Sequence, residues 1–148
     1  MSNAPFAAVL HLLRAHSLLE ERFAGELASI HGLALKDALL LMHLARAPLT
    51  RLSRVDLAKR LNASPSTITR TCLPLEKLGL VGREDDQRDA RLSYVVLTDA
   101  GRARVAEAEA TLRQKSADLF SDRWSEAEIA TLADLLGRLT AGQPGRLS

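Results

Sequence analysis

Residues 64–101 read SPSTITRTCLPLEKLGLVGREDDQRDARLSYVVLTDAG, and the order of signals in this stretch decides the fold. Ser64 followed by Pro65 marks a helix start. The serine side chain can accept from free N–H groups of the first turn, and proline at the first helical position lacks only an N–H that has no partner there. The helix runs to Leu78 and stops at Gly79, which can take the left-handed backbone that closes helices. Residues 80–84 and 92–97 then flank the charged turn DDQRDA. In the second segment Leu92, Tyr94 and Val96 alternate with Ser93, Val95 and Leu97, the pattern of a β-hairpin.

Upstream, Ser53 caps a short helix whose third residue is Asp56 and whose Leu57, Ala58 and Leu61 share one face. Asn62 and Ala63 form the turn. Two helices across so tight a turn, the second opening with Ser and Thr residues, make a helix-turn-helix. A hairpin following at once makes it a winged helix. Residues 47–50 form the connector before it, with room for a short extended piece.

Helices flank this unit on both sides. Over residues 6–30 apolar side chains recur near three- and four-residue steps (Leu12, Leu19, Phe23, Leu27, Ile30), until His31-Gly32 breaks the helix. ALKDALLLMHLAR (34–46) is so apolar that it must be buried on most sides. Thr98 caps a long helix to about residue 120 with Val105, Ala108, Leu112 and Leu119 as its stripe. Ser125 with Glu128 is a capping box for a last helix to about residue 141, with a stripe of Ile129, Leu132, Leu136 and Leu139. The expected fold is mainly α, a winged helix-turn-helix with a small antiparallel hairpin wing. Residues 1–148 read as one winged-helix domain: 34–98 as the winged helix itself, 6–30 and 99–141 as dimerisation helices, 142–148 as a flexible tail. One copy of so small a chain would struggle to cover those stripes, so a homodimer is expected.

The 148 residues are 47% apolar, enough for a core, and only 3% aromatic, which leaves little for a single-strand stacking platform and favours duplex DNA. Residues 51–91 carry 9 Lys/Arg against 6 Asp/Glu, whereas 1–50 carry 4 against 4 and 92–148 carry 7 against 8. The basic excess therefore falls on the winged helix, as a phosphate-contacting surface requires. The single cysteine, Cys72, excludes an intrachain disulfide and fits a reducing compartment. No stretch approaches a membrane span, so a cytoplasmic protein without a membrane partner is expected. No nucleophile–base pair, glycine-rich phosphate loop or metal-ligand spacing stands out, so no catalytic residue, metal or cofactor is expected. The competing readings are a helical protein-interaction module without DNA binding and a small enzyme, for which no site is found.

The stretch quoted at the outset resembles the recognition helix and wing of the MarR family of bacterial regulators. Asp89-Ala90-Arg91, followed at fixed distance by Leu97-Thr98 and Gly101, carries the likeness, which extends over about residues 6–141. Pro74 departs from the charged residue common there. The peroxide-sensing branch uses a cysteine in the first helix, and the zinc-sensing members use histidines after the wing; this chain has neither. The resemblance implies a homodimeric, sequence-specific duplex-DNA-binding regulator with a pseudo-palindromic operator. It also implies repression relieved by a small phenolic or anionic ligand bound between the dimer helices and the winged helix.

On a helical wheel Ile68, Cys72 and Leu75 share one face and read as core. Ser66, Arg70, Leu73 and Lys77 share the opposite face. With Ser64 at the cap and Thr67 and Thr69 on the flanks, they offer short donors for phosphates and, in Arg70, a guanidinium for a guanine edge. At the hairpin tip Arg88 and Arg91 are the expected minor-groove contacts, Asp89 orienting the Arg91 guanidinium. His11, His16, His31 and His43 read as helix-surface or interface residues.

Overall fold

The computed structural model describes residues 2–147. Its elements are α1 (Ala4–His31), α2 (Leu35–Arg46), a 3-10 turn (Pro48–Thr50), β1 (Arg51–Ser53), α3 (Arg54–Arg60), α4 (Pro65–Lys77), β2 (Val81–Asp85), β3 (Ser93–Leu97), α5 (Asp99–Leu119) and α6 (Glu126–Leu139). Each expected helix is present, and side-chain caps explain where α3, α4, α5 and α6 begin. Ser53, Ser64, Thr98 and Ser125 accept from the backbone N–H groups of Asp56, Thr67, Gly101 and Glu128, and Glu128 returns the bond to the Ser125 N–H at 2.8 Å. Helix α4 stays one helix across Pro74. It ends on Gly79 at φ 73°, with the N–H of Leu80 reaching the Leu75 carbonyl and that of Gly79 reaching Glu76, each at 2.9 Å, the paired bonds of a glycine-terminated helix.

The hairpin carries a third strand. β3 lies between β2 and β1, antiparallel to both, with Arg51 opposite Val96 and Ser53 opposite Tyr94. The short extended piece expected within 47–50 therefore lies just beyond it, at 51–53, while Leu49 and Thr50 take left-handed backbone. Proline at 48 presets the turn, and the strand forms where β3 offers a free edge.

One core serves the middle of the chain. It runs from Leu27 on α1 through Leu40, Leu41 and Leu44 on α2, Leu57, Ile68 and Leu75 on α3 and α4, Val95 and Leu97 on β3, to Val105 and Ala108 on α5. Gly101 sits where the start of α5 crosses the end of α4. A Cβ there would come within 2.0 Å of the Leu80 carbonyl oxygen, so only glycine allows this approach. Thr98 closes the same corner, its hydroxyl donating to the Gly79 carbonyl at 2.6 Å. The Leu97-Thr98 and Gly101 signature thus has a packing cause: it locks α5 onto the end of α4. Along α5, Arg104 donates to the His31 carbonyl at 3.0 Å, Thr111 bonds the His31 ring at 2.7 Å, and Lys115 pairs with Glu26 at 3.1 Å. These contacts join α5 to the C-terminal half of α1.

His43 departs from expectation. It is buried on α2, 4% exposed, because α2 is apolar on nearly every side. Of the tail expected over 142–148, Ser148 lies outside the described residues. Gly145 lies against Arg60 and His43, close enough that a Cβ would come within 2.9 Å of both. No single helix among the described residues is long and apolar enough to cross a membrane.

Candidate nucleic-acid interface

The N-terminal turn of α4 gathers four of the expected site residues. The Ser64 hydroxyl lies 3.0 Å from that of Ser66 and 2.9 Å from that of Thr67, and it accepts from the Thr67 N–H at 3.2 Å. Arg70, one turn on, is exposed and donates to the Thr67 hydroxyl at 3.4 Å. The cap geometry therefore presents a guanidinium beside a cluster of hydroxyls at the positive end of a helix dipole, where anions are favoured. Leu73 and Lys77 continue the same exposed face. Among the described residues neither Arg70 nor Lys77 has a carboxylate partner.

Thr69 is placed differently from the others. Half-buried, it donates to the Pro65 carbonyl at 3.1 Å and accepts from Arg54 at 3.1 Å. Its hydroxyl is thus occupied, and what it presents at the surface is the Arg54 guanidinium. No sequence pattern pointed to Arg54, because the contact joins two helices across the turn and depends on their packing angle.

Cys72 belongs to the opposite, buried face. Burial first, and then the nearby Glu76 carboxylate, push its thiol up to about 11, so it stays protonated and unreactive at neutral pH. This agrees with the core reading.

At the wing, Arg88, Asp89 and Arg91 are all exposed around the hairpin tip. The expected role of Asp89 needs correction. Its carboxylate accepts from the Arg91 backbone N–H at 3.0 Å, and among the described residues it makes no ion pair with the Arg91 guanidinium. The two-residue spacing that suggested side-chain orientation is that of a carboxylate closing a tight turn on its own backbone, which is geometrically easier. Asp86 does the same for the Arg88 N–H at 2.7 Å. It also accepts from the Tyr94 hydroxyl at 3.3 Å. The Arg88 N–H, chiefly, holds the Asp86 carboxyl below its ordinary pKa, with help from Tyr94 and Arg51.

Further contacts set the wing's pose and were not legible in the sequence. Arg51 on β1 lies 4.5 Å from the centre of the Tyr94 ring and pairs with Glu84, bracing the hairpin from its free side. Arg83 on β2 pairs with Glu76 near the end of α4 at 2.7 Å, tying wing to helix. The Arg51 contacts lie between residues far apart in the chain, whose nearness follows from the order β1-β3-β2, while the Arg83–Glu76 pair, seven residues apart, depends on how β2 leaves the end of α4.

A helix-turn-helix with an exposed hydroxyl-and-cation face, followed by a braced wing with two arginines at its tip, defines a winged helix-turn-helix transcriptional regulator. A family model described as the MarR family matches residues 31–92. The uncharacterized HTH-type transcriptional regulator YdgJ of Bacillus subtilis (strain 168) is 31% identical over 88 residues, 60% of this chain and 53% of that protein; the match spans about half of that relative's length. The HTH-type transcriptional repressor YetL of the same organism is 32% identical over 130 residues, 86% of this chain and 75% of that protein. Sco3205, a MarR family transcriptional regulator from Streptomyces coelicolor solved in complex with DNA, superposes with a TM-score of 0.83 at 25% identity, covering 96% of this chain and 89% of that one. The chain belongs to the MarR family of transcriptional regulators.

Proposed function

We propose that this regulator is a cytoplasmic, non-catalytic homodimer that binds a pseudo-palindromic duplex operator and represses transcription until a small phenolic or anionic ligand releases it. The observation that carries DNA binding is the exposed face of α4, where Ser66, Arg70 and Lys77 lie beside a wing tip bearing Arg88 and Arg91 and where, among the described residues, neither Arg70 nor Lys77 is in an ion pair. In this reading α4 enters the major groove and Ser64, Ser66 and Thr67 meet phosphates. Arg70 reads a base edge, Lys77 meets backbone, and Arg88 and Arg91 reach the neighbouring minor groove. Thr69 and Asp89 act indirectly, through Arg54 and through the wing turn. The structural likeness to a relative solved in complex with DNA supports DNA binding, and the name of YetL supports repression.

Dimerisation is supported by the apolar residues that α1 and α6 leave exposed, among them Phe6, Val9, Leu13, Leu135 and Leu139. Residues 6–30 and 99–141 would then form the joint and 34–98 the reading head, with half-sites one helical turn, roughly 34 Å, apart. A ligand releases the operator only by binding the non-DNA-binding conformer more tightly.

The test is selection of bound duplexes from a random pool, followed by salt titration of the winner. One enriched, two-fold-symmetric sequence whose affinity falls steeply with salt is expected. No enrichment, together with capture of a protein partner through the helices, would favour an interaction module instead.

A further inference from the structure

Ser66, Arg70, Leu73 and Lys77 follow one another on α4 at four-, three- and four-residue steps, so at helical pitch they form a single line along the exposed face. Three of the four are polar or cationic. Leu73, at the centre of the line, is 43% exposed, and Pro74 beside it is exposed as well. Core packing does not explain a leucine there, since Ile68, Cys72 and Leu75 are the residues that α4 buries.

The neighbours of Leu73 say what could cover it. Arg70 lies one turn before it and Lys77 one turn after, neither paired with a carboxylate among the described residues. An apolar protein surface laid over Leu73 would have to strip water from both cations, which is costly without a counter-charge. A nucleic-acid duplex offers counter-charge on either side of a groove. In the major groove the apolar feature of a base-pair edge is the thymine C5-methyl group. Pro74 adds to the fit: it places an apolar ring where a long polar side chain would compete for the methyl.

We infer that Leu73 is a specificity-determining residue that contacts the methyl group of a thymine in each half-site. Three residues advance about 4.5 Å along the helix, close to the roughly 3.4 Å rise of one base pair, so this thymine neighbours the base met by Arg70. The inference rests on α4 being the recognition helix.

The probe is the duplex selected from a random pool, with each thymine replaced in turn by deoxyuridine, which removes only the methyl group. Wild type is expected to lose about fourfold in affinity at one position per half-site, the weight of one methyl-sized apolar group. Leu73→Ala should bind the thymine duplex more weakly by a similar factor and be indifferent to deoxyuridine at that position. It should keep its sensitivity at the base met by Arg70. Absence of any deoxyuridine effect, or an equal effect in wild type and Leu73→Ala, would overturn the inference while leaving the proposed function standing. Failure to enrich any duplex would remove both.

Discussion

The middle of this chain and its two ends are built from similar amphipathic helices, yet they finish in opposite states. Leu40, Leu41, Leu44, Leu57 and Ile68 are no more than 1% exposed, whereas Phe6, Leu13 and Leu139 are each more than half exposed. Helix α6 buries none of its residues, and α1 buries only Leu27. Each such side chain gains about 1.5–3 kcal/mol when removed from water. The middle has collected that stabilisation within one copy and the ends have not. In the proposed reading the middle is the DNA-reading head, packed on Leu27 of α1 and on Val105 and Ala108 of α5, and the uncovered faces of α1 and α6 are the joint that a second chain would complete.

The largest effect should come from attacking the joint. Leu136→Asp places a charge on the exposed stripe of α6 and is expected to turn a dimer into monomers in sedimentation. Binding to the full operator should weaken about 10²- to 10⁴-fold through lost avidity, while the helical signal of the middle persists. A variant that sediments like wild type would break the comparison. Next comes the head itself. Gly101→Ala drives a methyl group into the Leu80 carbonyl and should cost about 2–3 kcal/mol in denaturant unfolding, near the top of the range for overpacking. An unchanged midpoint would mean that the corner between α4 and α5 is looser than its geometry indicates.

Two substitutions then separate reading from gripping. Arg70→Ala should cost about 1–2 kcal/mol of operator affinity and relax preference at one base position per half-site. A loss equal for every duplex would make Arg70 a phosphate contact. Arg91→Ala is expected to weaken binding by a smaller factor and to lower the salt slope with little change in melting temperature. Asp89→Ala should give a milder loss, with the Arg88–Arg91 turn loosened. Because Asp89 bonds the Arg91 backbone and not its guanidinium, part of that loss should persist when Arg91 is already alanine. A double variant no weaker than Arg91→Ala would restore the side-chain-orientation reading.

The smallest effect concerns pH. Burial first, then Arg60 and Arg46, hold the His43 pKa below its ordinary value of 6.5, so the folded chain keeps this ring neutral. Below that value the unfolded chain binds a proton that the folded chain rejects. The stabilisation is complete above about pH 6.5 and is lost as pH falls through the folded-state pKa. Melting temperature should therefore decline on acidification from pH 7, and His43→Leu should flatten that decline. A slope identical in the variant would assign the acid sensitivity to other groups.

Local signals carried most of the fold. Ser53, Ser64, Thr98 and Ser125 marked four helix starts, Gly79 marked a stop, and alternation over 92–97 marked a strand, because each signal acts between residues a few positions apart. The exposed line of Ser66, Arg70 and Lys77 was legible for the same reason: helical pitch alone brings those residues to one face. Distances between elements were not legible. That Thr69 spends its hydroxyl on Arg54, that Arg51 covers Tyr94 while gripping Glu84, and that β1 joins the hairpin all depend on how separate segments pack. Asp89 shows the boundary within one turn, where spacing placed the carboxylate near Arg91 but only the backbone conformation decided which N–H it met. By itself the sequence determined which segments are helix or strand and which face of each is apolar, since these follow from propensity, capping and period. The tertiary structure alone decided that Gly101 meets Leu80, that His43 is buried, and that the stripes of α1 and α6 stay uncovered, since these depend on the mutual placement of whole elements.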